Sequence, residues 1–233
     1  MLRRYFLKLS ALSGGLAGIA RPIDTLVPDS LKEQFLREAE IRHAWPIGQG
    51  ITGSLRVRLS DGQFTHDAHV QRVDEFRTLA GDVAQFRDSF RHNVAAYRID
   101  RLLRMNMVPV TVEREFEGRP AAFSWWVDGL LMSEAERVDK GVKPYEIRSW
   151  NKQMYVVRVF DQLIANPDRN LSNLLISEDW HIWMIDHTRA FRVQRQLPEE
   201  GSIRACDRLL FEELKDLSSL MLEGCVKDLL TPE

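Results

Sequence analysis

The sequence predicts an α+β protein whose first half is antiparallel sheet and whose second half is mainly helical, and three observations carry that prediction. Apolar residues alternate along Leu55, Val57 and Leu59 and again through Ala68 and Val70, with Asp61-Gly62 as the turn between them. A second such pair, Val108 to Phe116 and Ala121 to Val127, folds back at Glu117-Gly118. Beyond Asp128-Gly129 the apolar residues recur at three- and four-residue steps, interrupted by one short hairpin.

The length of 233 residues suits one compact domain or two small lobes. With 44% apolar residues, eleven Phe and six Trp, a packed core is expected. Net charge is only −2 and no basic stripe is present, which argues against nucleic acid as a partner. No apolar run reaches the roughly 18 residues that a membrane span needs, so the mature chain is expected to have none. Cys206 and Cys225 lack metal-ligand spacing and read as buried thiols.

The N-terminus differs in kind. Arg3-Arg4, the run Phe6-Leu7-Lys8 and a weakly apolar, Gly- and Ala-rich stretch to Ala20 have the features of a twin-arginine export signal. Residues 1–20 are therefore expected to direct the chain out of the cytoplasm; without a functional signal it would stay cytoplasmic. Cleavage after Ala20 removes Arg3, Arg4 and Lys8 and takes the net charge from −2 to −5. Residues 21–44 read as a helical extension, with Ser30 as N-cap and Leu31, Phe35, Leu36 and Ala39 at helical spacing.

A first lobe is expected over 45–128. It opens with Gly48, Gly50 and Gly53 ahead of the first hairpin, continues through a helix from Phe86 to Leu103, and ends with the second hairpin. His66 and His69, three apart on a strand, face opposite sides and do not read as a metal pair. Trp125 and Trp126 read as packing residues before the hinge. The second lobe is expected over 129–233, closing with an amphipathic stretch from Ser202 to Leu230.

The chemistry sits after a helix predicted over Ser149–Ala165, on which Trp150, Met154, Val157, Phe160 and Ile164 form one apolar face. Pro167 ends it. Asp168 then precedes Asn173 by five residues, and a tight hairpin around Ser177-Glu178-Asp179 returns the chain to Asp186. Phosphoryl transfer needs an Asp at the acceptor hydroxyl and an Asn and a second Asp on divalent cations that bridge nucleotide phosphates. This spacing matches that between catalytic Asp and metal-binding Asn in protein kinases. Oxygen donors of this kind suit Mg or Mn, not Zn. Alternatively, Asp168 and Asn173 are turn-formers and Asp186 a solvated strand end.

The runs Phe160–Asn173 and Ile185–Phe191, with Asn93-Val-Ala-Ala-Tyr97, Ser124-Trp-Trp126 and Asn151-Lys-Gln-Met154, resemble atypical kinases related to phosphoinositide 3/4-kinases and to secretory-pathway protein kinases, bacterial members most of all. The resemblance covers roughly residues 45–192. It implies a two-lobed protein-kinase-like fold with an antiparallel-sheet N-lobe and a mainly helical C-lobe. It also implies ATP as substrate, Asp168 as catalytic residue and Asn173 and Asp186 on the metal. Nucleotide contacts would come from Gly48, Gly50, Gly53, Gln71 and Asn93.

Gln71 and Asn93 depart from the pattern, because they stand where such kinases pair a lysine with a glutamate. Loss of both charges leaves neither buried alone. It weakens the hold on phosphates, since neutral hydrogen bonds are about half as strong as charged ones. Arg169 or Arg189 could replace the lost cation, though each also reads as an ordinary ion-pair partner. The expected function is thus a metal-dependent phosphotransferase using ATP or a related nucleotide, with a protein or small molecule as acceptor. A pseudokinase that binds nucleotide or metal without catalysis is the alternative, and a structural exported domain the third.

Overall fold

The computed structural model describes residues 27–48, 53–78, 85–192 and 203–230. Residues 1–20, where an export signal is expected, and Gly50 lie outside them. In chain order the elements are α1 (Asp29–Glu38), β1 (Glu40–Pro46), β2 (Leu55–Ser60), β3 (Thr65–Gln71), β4 (Asp74–Thr78), β5 (Gln85–Ser89) and α2 (Phe90–Leu102). There follow β6 (Thr111–Phe116), β7 (Arg119–Trp125), β8 (Leu130–Ser133), α3 (Glu134–Asp139) and α4 (Ile147–Leu163). A 3-10 turn (Leu171–Asn173), β9 (Leu174–Ser177), β10 (Ile182–Met184), α5 (Arg208–Asp216) and α6 (Ser219–Val226) complete the described chain. The fold is α+β with antiparallel sheet, as expected.

Contacts divide the chain into two units. The first comprises the described residues up to Arg72 together with Val110–Leu130; the second comprises Val73–Pro109 and the chain from Leu131. The first unit is a five-stranded antiparallel sheet in the order β1-β2-β3-β7-β6. The register Leu55↔Val70 and Val57↔Ala68 puts apolar side chains opposite one another on one face. On that face Val57, Leu59 and Ala68 are fully buried, and Phe35 of α1 meets Trp125 edge-on at 5.8 Å and Phe64 at 5.3 Å. The turn at Glu117-Gly118 has φ of 52° and 76° in succession, the left-handed pair that a two-residue hairpin between twisted strands requires.

The helix expected from Ser30 to Ala44 stops at Glu38, and Glu40–Pro46 is a strand. Its apolar residues cease to be buried beyond Ala39, and the Arg114 guanidinium donates to the carbonyls of Leu36 and Ala39 at 3.0 and 2.8 Å, closing the helix end. The freed segment becomes the sheet's edge strand beside β2. His66 stacks on Trp125 at 3.8 Å and its Nε2 lies 3.0 Å from the Trp126 carbonyl. It is a packing residue, as is Trp125, which is 4% exposed.

In the second unit, α2 begins at Phe90, not Phe86. Ser89 caps it by accepting from the Arg91 N–H, and Gln85–Ser89 pairs with Asp74–Thr78 as a hairpin the sequence did not signal. Placed with the first lobe by the sequence, α2 groups with the second unit through its bonds there. Arg98 donates to Asp228 at 2.6 and 3.0 Å and to the Cys225 carbonyl at 3.1 Å. α4 buries Trp150, Val157 and Phe160, the face its periodicity predicted. β8, β9 and β10 form a three-stranded sheet in the order β10-β9-β8. Among the described residues no helix is long and apolar enough to cross a membrane.

Candidate active site

The end of α4 creates the loop that carries Asp168. Ala165 turns left-handed at φ 47°, and the Asn166 N–H donates to the Asp161 carbonyl at 2.8 Å. The Asn166 side-chain amide donates to the Asp161 carboxylate, also at 2.8 Å, while its own oxygen accepts the Asp168 N–H at 3.3 Å. Pro167, with no N–H to give, fits this reversal. Asp168 emerges exposed.

Arg169 points the other way and is nearly buried. Its Nε donates to both oxygens of Asp161 at 3.2 and 3.0 Å, and its Nη2 to Oδ1 at 3.0 Å. Its Nη1 reaches two carbonyls, Ile185 at 2.7 Å and Asn173 at 3.3 Å. One guanidinium thus holds the chain before β9 against the chain after β10. The β9–β10 register, Met184↔Leu174, brings the same segments together, and the Ile185 N–H donates to the Asn173 carbonyl at 3.0 Å. Asn173 and Asp186 therefore leave neighbouring strand ends, Asn173 half-buried and Asp186 exposed with φ 56°.

The segment after Asp186 is pinned to the start of α2. Asn93 is buried, and its Oδ1 accepts the His187 N–H at 2.7 Å. The Thr188 carbonyl accepts from the Ser89 N–H at 2.9 Å and from His92 Nδ1 at 2.6 Å. A carbonyl only accepts, so His92 carries its proton on Nδ1. Arg189 donates from Nε to Asp88 at 3.0 Å and from Nη1 to Asp168 at 3.0 Å.

The structure thus gathers Asp168, Asn173 and Asp186 at one loop cluster of the second unit and ties Asn93 to it. Gly48, Gly53 and Gln71 belong to the first unit. Gly53 has φ 62°, which a side chain would strain, whereas a methyl on Gly48 would meet nothing within 4 Å. The Ile47 N–H, next to Gly48, donates to the carbonyl of Ser54, next to Gly53, at 3.0 Å. Gln71 is buried on β3 opposite Ala122. Arg169 and Arg189, considered as substitutes for the missing lysine, are both engaged with carboxylates of their own unit.

Sequence reasoning missed Asp161, Asp88 and the partner of Asn93. Asp161 had a signal, because Trp150, Met154, Val157 and Asp161 fall in one stripe on α4 that leads to Ile164 at its C-cap, with one charge in it.

Burial pushes His92 down to about 4, with the Arg87 charge acting the same way and the Thr188 bond opposing. Burial likewise holds His187 well below the usual histidine range. As pH falls below about 6.5 the unfolded chain takes up the proton and the folded chain does not, so stability is lost between about 6.5 and 4. For His92 the full loss is about 3 kcal/mol, or roughly 6–12 °C of melting temperature. His92→Asn, which keeps a donor near the Thr188 carbonyl, is expected to flatten the acid limb. Melting curves from pH 7 to 4 on both chains check this, and parallel limbs would refute it.

Among solved structures, the chain aligns with the Golgi casein kinase at a TM-score of 0.58 and 11% identity, over 87% of this chain and 67% of that one. The Golgi casein kinase with Mn/ADP bound aligns at 0.59 and 11% identity, over 86% and 69%. The hydra Fam20 with sugar aligns at 0.52 and 13%, over 78% and 69%. The fold is kinase-like. At these identities the likeness is one of fold, and the site residues stand on their own geometry. No protein-family model matches the sequence, and no curated protein matches it.

Proposed function

We propose that this protein is a metal-dependent phosphotransferase using ATP or a related nucleotide. The observation that carries the proposal is the clip of Arg169 on the Asn173 and Ile185 carbonyls, which sets Asn173 beside Asp186 in the loop cluster that holds Asp168. The resemblance of segments 160–173 and 185–191 to phosphoinositide-kinase-related and secretory-pathway kinases supports the same reading, as does the Mn/ADP complex of a structural neighbour.

The donor set fits Mg or Mn. Among the described residues no group of three or more His, Cys, Asp or Glu could hold a metal by itself. Magnesium, however, is commonly held by one or two carboxylates, with waters and substrate phosphates completing its shell. Asn173 and Asp186 would hold it, and the bound ion would neutralise charge on the transferred phosphoryl group. Asp168 orients the acceptor hydroxyl. As the bond from phosphorus to the leaving diphosphate oxygen breaks and the bond to the acceptor oxygen forms, the hydroxyl proton passes to Asp168. By the resemblance Gly48, Gly50, Gly53 and Gln71 would contribute nucleotide contacts, and within the second unit Asn93 would act through the peptide that follows Asp186.

Thermal unfolding with ATP and Mn or Mg, on the wild-type chain and on Asp186→Ala, tests this. Saturation at about a hundred times the dissociation constant adds about 2.7 kcal/mol, roughly 5–10 °C here. A shift that needs the metal and vanishes in Asp186→Ala is expected; no shift with any nucleotide overturns the proposal. The neutral Gln71 and Asn93 motivate a second reading, a pseudokinase, which predicts the thermal shift without any phosphoryl transfer.

A further inference from the structure

We propose that Asp88 and Arg189 position the carboxylate of Asp168 for transfer, a role that rests on the function proposed above. Asp168 stands on an exposed loop, its side chain 49% accessible, where a carboxylate left to itself samples several rotamers. Arg189 removes that freedom by donating to Oδ2 at 3.0 Å. Among the described residues no hydrogen bond reaches Oδ1, which leaves that oxygen to meet the acceptor hydroxyl.

Arg189 is itself held from two sides. Its Nε is bonded to Asp88, whose side chain is only 5% accessible. The turn that carries it is fixed by the Ser89, His92 and Asn93 bonds and by the Ala190 N–H on the His187 carbonyl at 2.9 Å. A guanidinium with two carboxylates at fixed angles uses its planar fork in a way that an ammonium cannot reproduce.

Asp88 is buried. Its Oδ1 is buried without a hydrogen-bond partner among the described residues. Its Oδ2 is committed to Arg189. Its bond to Arg189 links β5 and the start of α2 to the loop of Asp168. Asp88 and Arg189 are positioning residues and need not touch substrate.

The test uses the full chain with Mn-ATP and phosphate release to water as the probe. Arg189→Gln is expected to lower kcat by about a hundredfold, the scale of a misplacement near 1 Å, with KM for ATP unchanged. Arg189→Lys recovers part of the loss, since it keeps the charge but not the fork. Asp88→Asn, the milder change, costs about tenfold. In an Asp168→Asn background Arg189→Gln costs nothing further, because its effect acts through the carboxylate already removed.

The same fold-loss in both backgrounds overturns the positioning role, and so does an undiminished kcat in both Arg189→Gln and Asp88→Asn. Melting curves of each variant, with and without Mn-ATP, separate a lost nucleotide site or a lost fold from lost positioning. A drop explained by either also overturns the role, while the proposed function stands on the wild-type rate. A wild-type chain that releases no phosphate overturns the function and the role with it.

Discussion

Asp168→Ala is expected to slow phosphoryl transfer by about 10²–10⁴-fold, the range for loss of a positioned acid or base, while leaving the fold almost untouched. The two effects separate because of where Asp168 stands. Its carboxylate is half-exposed, and its ion pair with Arg189 bridges two partly solvated groups. Such a pair contributes at most about 1 kcal/mol to stability. The loop is instead shaped by Asp161, Asn166 and Arg169, none of which needs the Asp168 side chain. Transfer rate and melting temperature measured on the same preparation check both halves of this expectation. A variant that transfers at the wild-type rate removes Asp168 from the chemistry. A wild-type chain that binds Mn-ATP but never transfers favours the pseudokinase reading.

The parts of the molecule legible in the sequence are those encoded locally. The turns at Asp61-Gly62 and Glu117-Gly118 were readable because short runs of alternating apolar residues flank residue pairs suited to tight reversals. The helix before the candidate site was readable because Trp150, Val157 and Phe160 keep one face, and the spacing of Asp168 and Asn173 survives any change of surroundings. β1 and the β4–β5 hairpin were not legible. β1 is an edge strand with mostly exposed residues, and β5 carries Arg87, Asp88 and Ser89, so neither shows apolar alternation. Partners distant in the chain were equally hidden. Arg189 finds Asp88 across 101 positions and His187 finds Asn93 across 94, and no local period encodes such pairings.

The largest loss of stability is expected from Asp161→Ala. Asp161 and Arg169 are each only about a tenth exposed, and the carboxylate accepts from the guanidinium and from the Asn166 amide. Removing the carboxylate leaves a buried positive charge uncompensated, which costs about 3–5 kcal/mol, or roughly 6–20 °C of melting temperature. The double replacement Asp161→Leu with Arg169→Met removes both charges and is expected to recover much of that loss, as paired removal does elsewhere. Activity is not expected to return with it. Arg169 also bonds the Asn173 and Ile185 carbonyls, and an apolar side chain of similar length makes neither bond. Melting curves and transfer rates on the three chains decide the matter. Stability regained without activity assigns Arg169 to holding Asn173 beside Asp186. Stability and activity regained together would mean that the Ile185–Asn173 backbone bond and the β9–β10 hairpin hold the two residues without it.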